Sequence, residues 1–409
     1  MLKTVLVKDV RMGMYIHGLK GAWIDHPFWR THFVLRDPAD LQKLQESLVR
    51  EVVIDVSQGL DVAPADMTPA LGFDKAKAAT ATNESPQRLL SSRKSKQVTF
   101  EQEQAQAAKI IASSRHEIES MFSDLRMGKT IAVNSVLPIV EEISASVTRN
   151  MHALVSLVRL KTIDDCTYMH SIAVCALMTA LARALERSEV EVKQAGLAGL
   201  MHDVGKAVIP LEILNKPGAL TEKEFEVVKH HPRLGHHLLI EASITDPVTL
   251  DVCLHHHEKV DGSGYPEKLV SDQISLFAKM GAVCDVYDAV TSTRPYKPAW
   301  EPGIALKRMA SWEGHFDMDI FKAFVRSLGI YPIGTVVILK SGHLAVVVRQ
   351  NPGSLLKPVV KAFFSTKSKL HIPVKELDLS KGMDEIVGNE SAETWGLGNI
   401  DHLWAIPTK

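Results

Sequence analysis

The period of the apolar positions changes three times along the chain, and each change predicts a different kind of element. In residues 1–72, Thr4-Val5-Leu6-Val7, Met14-Tyr15-Ile16 and Glu51-Val52-Val53-Ile54-Asp55-Val56 read as strands, and Asp40 to Val49 as a short amphipathic helix. Trp23, Phe28, Trp29 and Phe33 add an aromatic group, so a small α+β domain is expected here. In residues 73–99, the stretch from Asp74 to Thr99 keeps only Leu89, Leu90 and Val98 as large apolar side chains among Ala, Thr, Ser, Lys and Arg, the composition of a linker. From 100 to 330 the period is helical almost throughout. Long amphipathic segments run from Glu101 to Arg126 and Ser135 to Leu160. Shorter helices are expected at about 165–187, 189–204, 221–240 and 247–259, then Asp272 to Thr293 and Pro302 to Leu328. Residues 331–409 return to strands. Thr335 to Leu339 and Leu344 to Val348 flank Ser341-Gly342 as a hairpin, with further strands at Val359 to Phe364 and near Ile372. The fold class expected is mainly α: a helical domain between a small α+β domain and a short β-rich extension.

Composition narrows the function classes. The 409 residues carry a formal net charge of -1, so no global basic field points to a nucleic acid polymer or an anionic membrane surface. The longest apolar run, Ile172 to Ala182, is too short to span a bilayer, and the N-terminus lacks the pattern of a signal peptide. Four scattered cysteines (Cys166, Cys175, Cys253, Cys284) form no CxxC pair and read as reduced thiols. A cytoplasmic protein is the expectation.

The chemistry concentrates at Leu200-Met201-His202-Asp203-Val204-Gly205-Lys206. At helical spacing Lys206 shares a face with both His202 and Asp203, and such charge at the end of an apolar helix is costly to bury without partners. The partners are supplied: eight of the 18 histidines fall between His202 and His257, with His170 upstream and Asp285 downstream. His170, His202, His231, His256, His257, Asp203 and Asp285 make five histidines and two aspartates, more than a four-coordinate site needs. They suit two octahedral metal ions sharing a carboxylate. Mixed His/Asp ligation favours iron(II) or manganese, with nickel and zinc as alternatives. His230, His236, His237 and His255 are assigned no ligand role, nor are His17, His26 and His32.

These residues carry a resemblance. His202-Asp203 and His256-His257-Glu258-Lys259-Val260-Asp261-Gly262-Ser263-Gly264-Tyr265-Pro266 resemble the HD-GYP family, a branch of the HD-domain metal phosphohydrolases. His170-Ser171, His231-Pro232-Arg233-Leu234-Gly235, Asp285-Val286-Tyr287-Asp288-Ala289 and Arg294-Pro295-Tyr296-Lys297 match in order. Met12-Gly13-Met14-Tyr15 and Trp23 through Phe33 are similar to a small domain often found ahead of HD-GYP domains. Pro332-Ile333-Gly334-Thr335 likewise resembles the usual end of these proteins.

The resemblance implies a phosphodiesterase for cyclic di-GMP that yields linear pGpG, GMP or both. His170, His202, Asp203 and Asp285 would hold one metal and His231, His256 and His257 the second, with Asp203 bridging. A bridging hydroxide would attack the phosphorus, and Lys206 would meet the phosphate charge. Arg294 and Lys297 would grip the second phosphate or a guanine, and Tyr265 would stack on a base or fill a turn. Signalling partners such as a diguanylate cyclase docking through the Gly262–Pro266 loop, and a homodimer, belong to the same expectation. Two other functions compete: a different nucleotide phosphohydrolase, such as a (p)ppGpp or dNTP hydrolase, and a catalytically weak binding scaffold. The complete GYP loop with Arg294 and Lys297 argues against the first, and the intact ligand set with Lys206 against the second. One departure stands out. Three-metal members of the family carry a glutamate four residues before the first histidine; here that position is Cys166, with Asp165 adjacent. Two metals are therefore expected.

Overall fold

The computed structural model describes residues 2–20, 32–47, 49–61, 98–160, 166–293, 299–351 and 353–405. The chain divides into two compact units, Met1–Gln97 and Val98–Lys409. In the first, β1 (Leu2–Leu6), β2 (Tyr15–Leu19), β3 (Phe33–Val34) and β4 (Glu51–Asp55) form an antiparallel sheet in the order β1-β4-β2-β3. Helix α1 (Pro38–Glu46) starts where Asp37 accepts a hydrogen bond from the Ala39 amide and Pro38 presets the first turn. Met14, Ile16, Leu35, Leu44, Val52 and Ile54 close its core. Trp23, Phe28, Trp29 and His26 lie outside the described residues, as does nearly all of the segment expected to be a linker.

The second unit is helical through its first two thirds. Helices α2 (Phe100–Arg126) and α3 (Val133–Leu157) lead into α4 (Cys166–Ala184) and α5 (Glu189–Met201). Two short helices follow, α6 (Leu211–Leu214) and α7 (Glu222–Val228), then α8 (His231–Glu241), α9 (Pro247–His255), α10 (Leu276–Thr291), α11 (Pro302–Ala310) and α12 (Met318–Leu328). Boundaries follow local chemistry. Thr99 with Gln102, Ser188 with Glu191 and Thr221 with Glu224 form reciprocal capping boxes. Helix α4 is the centre of the bundle: Ile172 to Leu181 is shielded from solvent on every side, which is why its apolar run is continuous and not striped. Among the described residues no helix is long and apolar enough to cross a membrane.

Two segments read as single helices are each split. The 221–240 segment breaks at Lys229-His230, because Pro232 has no amide to donate and suits the first turn of a new helix. The 302–328 segment breaks at 311–317, where Gly314 takes a positive φ and Asp317 caps α12 through the Asp319 and Ile320 amides. The end of the 189–204 helix also differs: α5 stops at Met201, and Val204–Val208 is a 3-10 turn.

Strands β5 (Val336–Leu339), β6 (His343–Asn351), β7 (Ser354–Ser365), β8 (Leu370–Asp378) and β9 (Ile386–Asn389) form an antiparallel sheet in the order β8-β7-β6-β5-β9. The hairpin at Ser341-Gly342 is present, with Val336 opposite Val346. The sheet shares a core with the helices. Ile333, Leu344, Val346, Phe363 and Trp404 cluster with Phe100 and Leu160, and Arg159 donates to the Ile333 carbonyl at 2.6 Å. The described residues of the 331–409 segment thus form an integral layer of the second unit.

Candidate metal centre

Close backbone contact between helices positions the site. Gly199 of α5 lies so near α4 that a β-carbon there would meet the Val174 carbonyl at 2.8 Å, which brings His202, just past the end of α5, beside His170 of α4. The turn after Asp203 lies equally close to α8, which opens with His231. His256 follows the last residue of α9, and Asp285 projects from α10.

The structure gathers all seven residues singled out as ligands. His170, His202, Asp203 and Asp285 form one set and Asp203, His231, His256 and His257 a second; within each set the ligand atoms lie within 4.8 Å of one another. Asp203 is common to both. Nδ1 of His202 is 2.8 Å from the Gly199 carbonyl, that of His231 2.7 Å from the Val228 carbonyl, and that of His256 2.9 Å from the Val252 carbonyl. A carbonyl only accepts, so each Nδ1 donates, which leaves Nε2 as the atom each ring turns toward the site and, in the neutral ring, the one with the lone pair. Those Nε2 atoms converge: His202 on His170 at 3.2 Å, and His231 on His256 at 3.3 Å.

Asp203 completes the argument for a cation. Burial pushes its carboxyl pKa up, but Lys206, His202 and His170 outweigh this and hold it well below the usual carboxylate range. Its Oδ1 is buried without a hydrogen-bond donor, 3.2 Å from His231 Nε2 and 3.7 Å from His256 Nε2. An ionised oxygen facing imidazole lone pairs in a water-poor interior is stable only with positive charge between them. A divalent ion supplies it, and the donor set fits one.

His170 shows how negative the other half is. Burial lowers its pKa, yet the hydrogen bonds it donates to Asp203, Asp285 and Asp288 overcome this and push it up to about 10. Asp285 Oδ1 lies 3.0 Å from its Nε2 and Asp288 Oδ2 2.6 Å from its Nδ1. These two carboxylates, one helical turn apart on α10, grip both nitrogens of one imidazole. His257 is the opposite case: burial and the neighbouring His256 hold its pKa well below that of free histidine, leaving a neutral ring.

Asp288 was not among the residues picked from the sequence. Its signal was available, since it stands three residues beyond Asp285 amid buried apolar neighbours. It orients His170 and makes it a better donor, the role of a carboxylate behind a metal-bound histidine. Asp288→Asn is expected to weaken metal affinity about 10- to 100-fold while the protein stays folded. Metal titration followed by thermal unfolding checks this, and unchanged affinity would remove Asp288 from the centre. Glu258 is a second omission. Buried at 2% exposure, it accepts from the Glu267 and Leu269 amides at 2.6 and 3.1 Å and shapes the loop that carries Gly262 to Pro266.

The remaining candidates fall into place unevenly. Lys206 Nζ lies 2.5 Å from Asp203 Oδ2, at the edge of the centre. The Tyr265 ring lies 4.7 Å from that of His257 at an interplanar angle of 32°. Arg294 and Lys297 lie outside the described residues, as does the side chain of Cys166. His255 pairs with Asp251 at 2.7 Å and His237 with Glu241 at 3.1 Å, so neither belongs to a donor set. Burial raises the thiol pKa of Cys175 to about 12 and also raises those of Cys253 and Cys284, so none of the three offers a thiolate.

A helical bundle with a histidine–aspartate pair at the end of one buried helix and further histidine and aspartate ligands from its neighbours defines an HD-type protein, the fold of metal-dependent phosphohydrolases. Comparison with known proteins agrees: residues 140–320 match the family described as HD domain, and residues 2–136 match the Domain of unknown function (DUF3391). The chain is 49% identical over 407 residues to the cyclic di-GMP phosphodiesterase PA4108 of Pseudomonas aeruginosa, covering 99% of this chain and 96% of that one. It is 44% identical over 148 residues to the response regulator RpfG of Xanthomonas campestris, also a cyclic di-GMP phosphodiesterase, covering 36% of this chain and 39% of that one. The 3'3'-cGAMP-specific phosphodiesterase 1 of Vibrio cholerae is 34% identical over 163 residues, 39% of this chain and 38% of its own. The chain belongs to the HD-GYP family.

Proposed function

We propose that this protein is a cyclic di-GMP phosphodiesterase that binds two divalent metal ions, iron or manganese, in the two donor sets joined by Asp203. The observation that carries this reading is the unpartnered Asp203 oxygen between converging imidazole lone pairs, in a chain similar over nearly its whole length to an enzyme named for that activity. Donors made of imidazole and carboxylate, with the nearby cysteines held as neutral thiols, favour those metals over ions that seek thiolate. Once bound, the metals supply Lewis acidity, which activates water and offsets charge on the scissile phosphate.

The chain's own residues do the rest. Asp288 fixes the tautomer and angle of His170. The carbonyls of Gly199, Val228 and Val252 do the same for His202, His231 and His256. Lys206, its side chain 24% exposed, exchanges its contact with Asp203 for the substrate phosphate and opposes the charge that builds there. Arg294 and Lys297 serve the second phosphate. The product is linear pGpG, and its further cleavage to GMP is slower, since Cys166 stands where a third metal's glutamate would be.

The test is incubation of anaerobically purified, metal-loaded protein with cyclic di-GMP and, in parallel, 3'3'-cGAMP, with separation of products and elemental analysis. Expected are about two metals per chain, rapid pGpG formation and slow GMP release. A stoichiometry near three would overturn the nuclearity, and faster turnover of 3'3'-cGAMP would overturn the substrate.

A further inference from the structure

Helix α7 (Glu222–Val228) contains no buried residue. It is held by its capping box and by a 2.6 Å pair between Lys216 and Glu224, not by a core. Yet it carries Phe225, a residue 44% exposed. Left in water, that ring gives up the stabilisation its burial would bring.

Its neighbours tie it to the metal centre. The Phe225 and Tyr265 rings meet edge to face at 6.5 Å and 84°, and Tyr265 in turn lies against His257. Tyr265 is half-buried, with one face committed to that imidazole, so Phe225 is the more open aromatic surface of the two. The Lys229 ammonium sits 4.9 Å from the Phe225 ring centre and 6.0 Å from that of Tyr265. Its ion pair with Glu226 at 2.6 Å is open to solvent on the glutamate side (65% exposed) and therefore weak, leaving the charge available.

We propose that Phe225 and Lys229 form a base-recognition platform of the site: Phe225 stacks on the purine next to the scissile phosphate, and Lys229 meets the flanking phosphate. This rests on the cyclic-dinucleotide reading above. Purines and phosphates are the two chemistries that an open aromatic face beside an ammonium recognises. The metal centre acts on the phosphodiester whatever is attached to it, so selection for a nucleotide must come from surfaces of this kind.

The experiment compares metal-loaded wild type, Phe225→Ala, Phe225→Trp and Lys229→Gln on two substrates. One is cyclic di-GMP; the other is methyl p-nitrophenyl phosphate, a diester whose only ring is the leaving group. Phe225→Ala is expected to raise KM for cyclic di-GMP about ten-fold with kcat nearly unchanged, and Phe225→Trp to restore it. Lys229→Gln raises the same KM and flattens its dependence on salt. Turnover of the small diester stays at the wild-type level in all three variants. An unchanged KM in Phe225→Ala, or an equal loss on both substrates, overturns the platform while leaving the phosphodiesterase reading intact. A wild type that cleaves the small diester but not cyclic di-GMP overturns the substrate reading and the platform with it.

Discussion

Replacing Asp203 with alanine is expected to abolish hydrolysis and to empty both halves of the centre together. Among the described residues the carboxylate is the only group common to the two donor sets, and each of its oxygens faces different imidazoles. Oδ1 lies 3.2 Å from His231 Nε2, and Oδ2 lies 3.3 Å from both His170 Nε2 and His202 Nε2. Removing it leaves five imidazoles and one aspartate to bind two dications, with nothing to fix the distance between them. Turnover should fall by at least about a thousand-fold, which corresponds to about 4 kcal/mol of transition-state stabilisation. Lys206→Ala is the control that separates roles: it removes a charge that meets phosphate, so metal content should stay at the wild-type level while kcat drops. Elemental analysis alongside product formation reads both outcomes. An Asp203→Ala protein with a full metal complement and near-normal rate would place the bridge elsewhere.

How much of this was legible in the sequence depended on whether cost or context decided each residue. The ligands were legible because burying histidine and aspartate within apolar helices is expensive enough to demand a reason. His202-Asp203 and Asp285 announce themselves among residues such as Leu200, Met201, Val283 and Cys284. His237 and His255, assigned no ligand role, stand in the structure in ordinary pairs with Glu241 and Asp251. Helix breaks were less legible. A proline after His231 is compatible with a helix that continues and with one that restarts, and only the demand that His231 face Asp203 selects the restart. Likewise β9 (Ile386–Asn389) is too short and too weakly alternating to be read alone; it exists because β5 offers it an edge. Asp288 carried the same signal of a carboxylate among apolar neighbours, but its role did not show: its partner is the far nitrogen of a histidine 118 positions away, a contact that no local pattern encodes. Phe225 looked like part of a single amphipathic helix, and its exposure beside Tyr265 emerged only once α7 and α8 separated.

A single methyl group at Gly205 is expected to cost the protein its second donor set. A β-carbon on Gly205 would lie 2.0 Å from the His231 carbonyl oxygen and 2.5 Å from the Gly235 amide nitrogen, both backbone atoms that no side-chain rotation can move. Gly235 presses back: its own β-carbon would lie 3.0 Å from the Gly205 nitrogen and 2.7 Å from Cys253 Sγ. The two glycines therefore let the turn carrying Asp203 and Lys206 lie directly on the first turns of α8. Restoring an ordinary contact of 3.4 Å in Gly205→Ala requires about 1.4 Å of separation between these segments. That is several times the roughly 0.2 Å over which metal–ligand distances are tolerated, so His231 leaves the reach of an ion shared with Asp203. Of the first set, His170 is carried by α4 and Asp285 by α10, and His202 directly follows α5; Asp203 belongs to the turn itself and stays with them when α8 is the segment displaced. The expected result is a folded protein with about one metal in place of about two, destabilised by about 1–3 kcal/mol and slowed at least about a hundred-fold. Gly398→Ala, at a position with nothing within 4 Å of the added carbon, should change none of these quantities. Circular dichroism, thermal unfolding and elemental analysis on the two variants decide the matter. Wild-type metal content and turnover in Gly205→Ala would mean that the approach of the turn to α8 is not what sets the distance between Asp203 and His231.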